Sequence, residues 1–278
     1  MPTLLHDTFD LLEIGTISTK WPYSAEGEYH VVEPPYDTGV WEEANISTRW
    51  GRGAGCWAVV PDGDRRAMEA TFTVPIDTPL LVAGSRFWDD YLLAVDVRPL
   101  GWYRPLGLVV RYQHSRQYYF FALYEDHVAL LKRDHEEETV LAEAPWQGSV
   151  DRYVAVEIAC RGRRMTVRLD GVQVLSAQDD AYPRGRIGLL AEGPARFADV
   201  RVTASAAAAR RAAEAEEAWA REEAALQAAL PQPVLWKVLS TAGFGTDRNL
   251  RYGDLNGDGR MEIVVPQALH RGTPGEYA

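Results

Sequence analysis

Arg164-Met-Thr-Val-Arg-Leu169 is followed by Asp170-Gly171 and then by Val172-Gln-Val-Leu175. In the first run apolar and polar residues alternate. Met165, Val167 and Leu169 therefore share one face of an extended strand, while Arg164, Thr166 and Arg168 take the other. Asp-Gly between two such runs is a hairpin signal, because both central positions of the favoured turn need positive φ. Upstream, Tyr153 to Cys160 alternates in the same way, with Val154, Val156, Ile158 and Cys160 on one face. Further strand-like runs lie at 69–74, 91–97, 106–112, 118–124, 127–132, 186–191 and 196–202. Many short strands separated by turn residues predict a mainly β chain, with a sandwich or jelly roll over residues 1–203.

The bulk properties narrow the partners. The chain has 278 residues, 46% hydrophobic and 25% charged, and a net charge of −11. That length holds one large β domain plus an appendage. The negative charge argues against nucleic acid, whose binding relies on clustered Lys and Arg. No apolar run reaches the roughly 20 residues of a membrane span. Met1-Pro-Thr-Leu-Leu-His-Asp7 has neither a basic start nor an apolar stretch of signal length. The default expectation is a cytoplasmic protein, or an extracellular one if a leader has been removed. The two cysteines, Cys56 and Cys160, lack metal-motif spacing and read as small buried hydrophobes rather than a disulfide.

Composition changes after Thr203. Ala204 to Leu230 is rich in Ala, Glu and Arg, contains no Gly or Pro, and is closed by Pro231 and Pro233. These are strong helix formers, and Glu217 with Arg221 stands at i,i+4 in the favourable order. Trp219, Leu226 and Leu230 mark a narrow apolar stripe. The segment 204–233 is read as a semi-rigid helical linker, its run from 204 to 230 about 40 Å long, whose stripe rests on a neighbouring domain. A coiled-coil dimer is the alternative, though the stripe spans few heptads.

A third element occupies 234–278. Leu235-Trp236-Lys-Val-Leu239 leads through a Gly- and Thr-rich turn to Asp254-Leu-Asn256-Gly-Asp258-Gly259-Arg260-Met-Glu262. Oxygen side chains at positions 1, 3, 5 and 9 with Gly at 6 suit a hard cation such as Ca²⁺. Asp254, Asn256, Asp258 and Glu262 would offer side-chain oxygens and Arg260 its carbonyl. An EF-hand would place Glu at position 12, which is Val265 here, and would continue as a helix. Instead Ile263-Val264-Val265 reads as a strand. The tail from His270 to Ala278 shows no pattern and is read as disordered.

Two stretches carry a family resemblance. Trp88-Asp-Asp-Tyr91-Leu-Leu-Ala-Val-Asp-Val-Arg98 and Arg184-Gly-Arg-Ile-Gly-Leu-Leu-Ala-Glu192, followed by Arg196-Phe-Ala-Asp-Val-Arg-Val202, resemble laminin G-like and concanavalin A-like jelly rolls. Gly243-Phe-Gly245 through Glu262 resembles the calcium loop of FG-GAP-type β-propellers, including those of rhamnogalacturonan-type polysaccharide lyases. The resemblance implies a jelly roll joined to a calcium-binding propeller in a protein acting on acidic polysaccharide. It implies too that the chain is C-terminally truncated after an incomplete first blade, with the remaining blades missing.

Sugar binding on a β scaffold works through aromatic stacking and a few polar groups. Trp41, Trp50 and Trp57 lie in or beside a Gly-rich stretch, Trp88 and Tyr91 precede a strand, and Arg111, Tyr112, His114, Arg116, Tyr118 and Tyr119 crowd one hairpin. Trp50, Arg111 and Tyr119, with Trp88 and Tyr91, are the expected carbohydrate groove. A guanidinium beside aromatics would suit an acidic sugar. Each of these rings reads equally as sheet packing.

Catalytic signals are sparse. No Gly-x-Ser-x-Gly elbow, phosphate loop, zinc motif or Glu-x-Asp-x-x-Glu pair occurs. Glu136-Glu-Glu138 reads as a solvated turn. Asp89-Asp90 could pair as acid and base but fits better as a turn leading into a strand. A second cation site could join Asp7 or Asp10 to Asp199. The sequence therefore predicts a carbohydrate-binding module of a polysaccharide-active, lyase-like protein with Ca²⁺ as cofactor. The alternatives are a protein-binding adhesion module and a jelly-roll glycoside hydrolase.

Overall fold

The computed structural model describes residues 1–17, 39–44, 57–70, 79–102, 104–150, 152–231, 234–235 and 251–264. Two compact units divide the chain, Met1–Ala224 and Ala225–Ala278. The strands of the first unit are β1 (Thr3–Asp7), β2 (Gly15–Ile17), β3 (Glu42–Glu43), β4 (Trp57–Asp62), β5 (Arg65–Ala70) and β6 (Leu80–Ala83). They continue with β7 (Tyr91–Pro99), β8 (Leu106–His114), β9 (Gln117–Leu123), β10 (His127–Asp134) and β11 (Glu137–Pro145). β12 (Val154–Arg161), β13 (Arg164–Leu169), β14 (Val172–Gln178), β15 (Arg186–Ala191) and β16 (Ala195–Ala204) complete them. The helix α1 (Ala206–Ala229) follows, then β17 (Arg251–Gly253) and β18 (Glu262–Val264).

The mainly β expectation holds. The strands of the first unit form two antiparallel sheets, a sandwich. One sheet runs β14-β13-β12-β7-β16-β5-β4-β2 with β1 also on β16, and the other runs β11-β10-β9-β8-β15-β6-β3. The hairpin read from Asp170-Gly171 is present: Leu169 pairs with Val172, and the two turn residues take φ of 48° and 80°. Val154, Val156, Ile158 and Cys160 face inward, as do Met165, Val167 and Leu169. Each such aliphatic side chain stabilises the fold by about 1.5–3 kcal/mol when fully buried.

The two sheets differ on their outer faces. That of the nine-stranded sheet is polar: Arg65 pairs with Asp96 at 2.7 Å, and Arg196 reaches Asp62 at 2.9 Å and Glu69 at 2.6 Å. The seven-stranded sheet is apolar on both sides. Residues of one parity, such as Leu108, Val110, Tyr119, Phe121 and Leu130, fill the core between the sheets. Residues of the other parity, among them Val109, Phe120, Leu131 and Leu190, make a second buried cluster. Strands β8 to β10 therefore read as continuous apolar runs rather than alternations.

Some boundaries differ from the sequence reading. Glu137 and Glu138 belong to β11 rather than to a turn, because only His135 and Glu136 are needed to reverse the chain after Asp134 pairs with Glu137. Strand β16 runs on to Ala204, and Ser205 caps α1, its hydroxyl accepting the N–H of Ala208 at 3.1 Å. The first half of the helix lies on the sandwich: Ala208 and Ala212 are buried. Glu217 and Arg221 pair at 3.7 Å. No helix among the described residues is long and apolar enough to cross a membrane. In the second unit β17 and β18 pair antiparallel around the loop 254–261. Trp50, Cys56, Trp236 and the tail 270–278 lie outside the described residues.

Candidate functional site

The sandwich carries a cleft of about 480 Å³ where β1 and the turn after it meet the loop ahead of β7 and one side of α1. Leu4, Leu5, Leu11, Leu12, Val40 and Trp88 supply an apolar wall. His6, Asp7, Ser85 and Glu216 supply the polar groups.

Each segment is held in place by its own chemistry. Asp7 accepts the backbone N–H of Phe9 and the indole N–H of Trp41, both at 2.7 Å. That brace keeps Phe9 at φ 62° and turns the chain toward Leu11 and Leu12. Leu11 is 94% exposed, an unusual position for a leucine. Nε2 of His6 lies 2.7 Å from Asp199 Oδ1, and Arg201 reaches the same carboxylate at 3.3 Å. Asp199 sits at φ 48° in the bulge where β16 passes its edge from β5 to β1.

Trp88 lies flat over Gly84, where a Cβ would come within 2.1 Å of the indole, so only glycine fits there. Tyr91 meets the indole edge-on at 6.2 Å between centroids. Glu216 enters the cleft because α1 is clamped to the loop before β7. Arg211 donates two hydrogen bonds to Asp89 Oδ2, at 2.9 and 2.8 Å. Phe87 packs on Trp219 at 6.4 Å, and Arg86 lies 4.8 Å over the Trp219 ring.

The residues expected to form a groove fall in different places. Trp50 lies outside the described residues. Trp88 lines the cleft, and Tyr91 supports it from the interior. Arg111 and Tyr119 are both 0% exposed, so neither presents a surface to a polysaccharide. This corrects the groove expectation. A bulge in β8 gives Arg111 a φ of 53° and turns its guanidinium inward, where it donates to the carbonyls of Tyr182 (3.3 Å), Asp89 (3.2 Å) and Gly162. Tyr119 donates to Asp179 at 2.5 Å and accepts the N–H of Tyr182.

Burial, and then the hydrogen bond to Asp179, raise the Tyr119 hydroxyl above its ordinary value. Burial likewise holds the Tyr91 hydroxyl up, and pushes the Cys160 thiol to about 11 despite the nearby Arg111. Tyr112 and Tyr118 project to the outer face of the seven-stranded sheet as a stacked pair 6.3 Å apart. There burial pushes Tyr118 up to about 12.

The acidic residues considered for other chemistry are engaged in turns. Asp89 holds Arg211 and the N–H of Asp90, and Asp90 accepts the N–H of Gly162 at 2.6 Å. That is the architecture of a turn, not of an acid–base pair facing a groove. Asp7, Asp10 and Asp199 each have other partners: Phe9 and Trp41 for Asp7, the Thr8 hydroxyl for Asp10, and His6 and Arg201 for Asp199. In the loop of the second unit Asp254 accepts the N–H groups of Gly257, Asp258 and Gly259, and Asp258 accepts that of Arg260. Glu262 accepts the N–H of Leu255 at 2.7 Å. The donors are of the hard-oxygen kind that calcium takes. Among the described residues, however, no three His, Cys, Asp or Glu side chains gather as a metal site.

His6, Ser85 and Glu216 were missed in the sequence. They come from a strand, a loop and a helix more than two hundred residues apart at the extremes, and no local motif marks them.

No protein-family model matches the chain, and no curated protein matches it. Several solved structures resemble it. A carbohydrate-binding module from Bacillus subtilis does so at a TM-score of 0.48 and 20% identity, over 59% of this chain and 95% of its own. A protein of unknown function with a galectin-like fold, from the same organism, gives 0.44 and 12% over 69% and 97%. An alginate lyase of polysaccharide lyase family 7 gives 0.42 and 13% over 60% and 95%.

Proposed function

We propose that the sandwich is a carbohydrate-binding module of a polysaccharide-active protein and that it holds sugar in the cleft beside Trp88. The observation that carries this reading is the make-up of that cleft, an indole and leucines set beside two carboxylates, an imidazole and a hydroxyl. A sugar ring has an apolar C–H face and a belt of hydroxyls. The apolar wall takes the face, and Asp7 and Glu216 accept hydrogen bonds from the belt. About 480 Å³ also lies within the usual range of small-ligand sites. The test is calorimetry on the full chain with a panel of oligosaccharides at millimolar concentration. Binding that is lost when Val40→Trp fills the cleft supports the reading. Silence across the panel overturns it.

Calcium belongs to the same proposal. The spacing of Asp254, Asn256, Asp258 and Glu262, with the Arg260 carbonyl, suits a Ca²⁺ loop at the opening of an FG-GAP-type blade. The ion would supply a fixed positive charge that holds the loop between β17 and β18.

A second reading, the interaction module, is favoured by the far half of α1. Leu226 on its last turn and Leu230 just past its end are each 63% exposed, and Leu235 beyond is 80% exposed. Light scattering separates the two states: a dimer broken by Leu226→Glu with Leu230→Glu supports it, and a monomer at all concentrations rejects it for self-association.

A further inference from the structure

We infer that the cleft selects cationic 2-amino sugars over neutral sugars, and neutral sugars over uronic acids. The inference rests on the carbohydrate reading above and adds the charge of the ligand. Among the described residues no Lys or Arg lines the cleft, whereas two carboxylates do, and its one imidazole, His6, is held by Asp199 at 2.7 Å. Glu216 has no ion partner or hydrogen bond among the described residues. Asp7 accepts N–H groups from Phe9 and Trp41, and among the described residues it has no ion-pair partner.

The guanidiniums around the site are committed elsewhere. Arg66 donates to the carbonyls of Asp10 and Leu12. Arg201 serves Asp199, Arg211 serves Asp89, and Arg86 lies over Trp219. Arg111, the residue on which an expected preference for acidic sugars rested, is wholly buried. A uronate in this cleft would set a third carboxylate beside Asp7 and Glu216, and like charges at that range repel. A protonated amino group would instead give Glu216 the cation it lacks, while the indole and leucines take the apolar face of the ring.

The experiment is calorimetry on the full chain at about pH 6 and low salt, with β-1,4-linked tetramers of glucosamine, glucose and glucuronate. The expected order is glucosamine, glucose, glucuronate. The first step is about threefold to fivefold, the size of one partly exposed ion pair. Glu216→Gln, an exposed helix position, brings glucosamine down to glucose, and Glu216→Lys reverses the order. The variants also separate the cleft from the general pull of a chain of net charge −11 on cations. Glucuronate binding as tightly as glucosamine, or a preference unchanged in Glu216→Gln, overturns the inference but leaves sugar binding standing. If none of the three tetramers binds, the carbohydrate reading falls, and the inference falls with it.

Discussion

The hydroxyl of Tyr91 accepts the backbone N–H of Arg111 across 2.9 Å, joining β7 of one sheet to β8 of the other. The bond forms where the β8 ladder is interrupted: Arg111 takes φ 53°, and the register slips between Val110 and His114. The freed N–H would otherwise be an unpaired donor in the core. Gly185 packs against the same bulge, since a Cβ there would stand 2.5 Å from the Arg111 carbonyl carbon. Tyr91, Arg111 and Gly185 thus close one end of the sandwich.

Arg111→Ala should therefore damage stability. It leaves the carbonyls of Tyr182, Asp89 and Gly162 without their donor, at about 3 kcal/mol or more. The melting temperature should fall by on the order of 10 °C. Thermal unfolding followed by circular dichroism checks this. An unchanged melting temperature would mean that Arg111 is not the interior tie described above.

Alkaline pH should weaken the fold in a defined window. Cys160 and Tyr118 are neutral when protonated, and burial raises both in the folded state, to about 11 and about 12. Their ordinary values are 9.0 and 10.0, so the folded form binds these protons more tightly than the unfolded form. Their contribution is complete below about pH 9 and is lost as pH rises toward 12. Denaturant midpoints should decline across that window, and Cys160→Ala should remove the lower part of the decline. For the same reason Cys160 should resist alkylation at pH 8 until the protein is unfolded.

The docking of α1 should depend on Arg211 and Trp219. Arg211→Ala breaks the fork to Asp89, and Trp219→Ala removes the ring between Phe87 and Arg86. Amide exchange in residues 206–219 should speed up in both variants while β12 and β13 stay protected. Equal exchange in variant and wild type would show that Ala208 and Ala212 hold the helix without them.

The loop of the second unit should bind calcium if its oxygens converge on an ion. Directly excited terbium luminescence should rise on binding, be competed by Ca²⁺, and disappear in Asp254→Ala with Asp258→Ala. A flat titration would leave Asp254 with only its hydrogen bonds to Gly257, Asp258 and Gly259.

The sequence by itself determined the alternating strands β12 and β13, the hairpin after Leu169 and the helix, whereas β1–β4, β6 and β11 carried no such signal. Strand alternation at 154–160 and 164–169 is a period-2 pattern written into neighbouring residues. Asp170-Gly171 names its turn, and the Ala/Glu/Arg run declares α1 through local propensity. Only the tertiary structure decided what the side chains do. Arg111 and Tyr119 look like ligands in a list of residues, yet a bulge and the parity of β9 turn them into the core. His6, Ser85 and Glu216 look like nothing in particular, yet strand pairing and the Arg211–Asp89 fork bring them to one cleft. Local order is set by residues a few positions apart, and sequence records it directly. A site assembled from both ends of the first unit depends on long-range packing, which no short stretch of sequence can display.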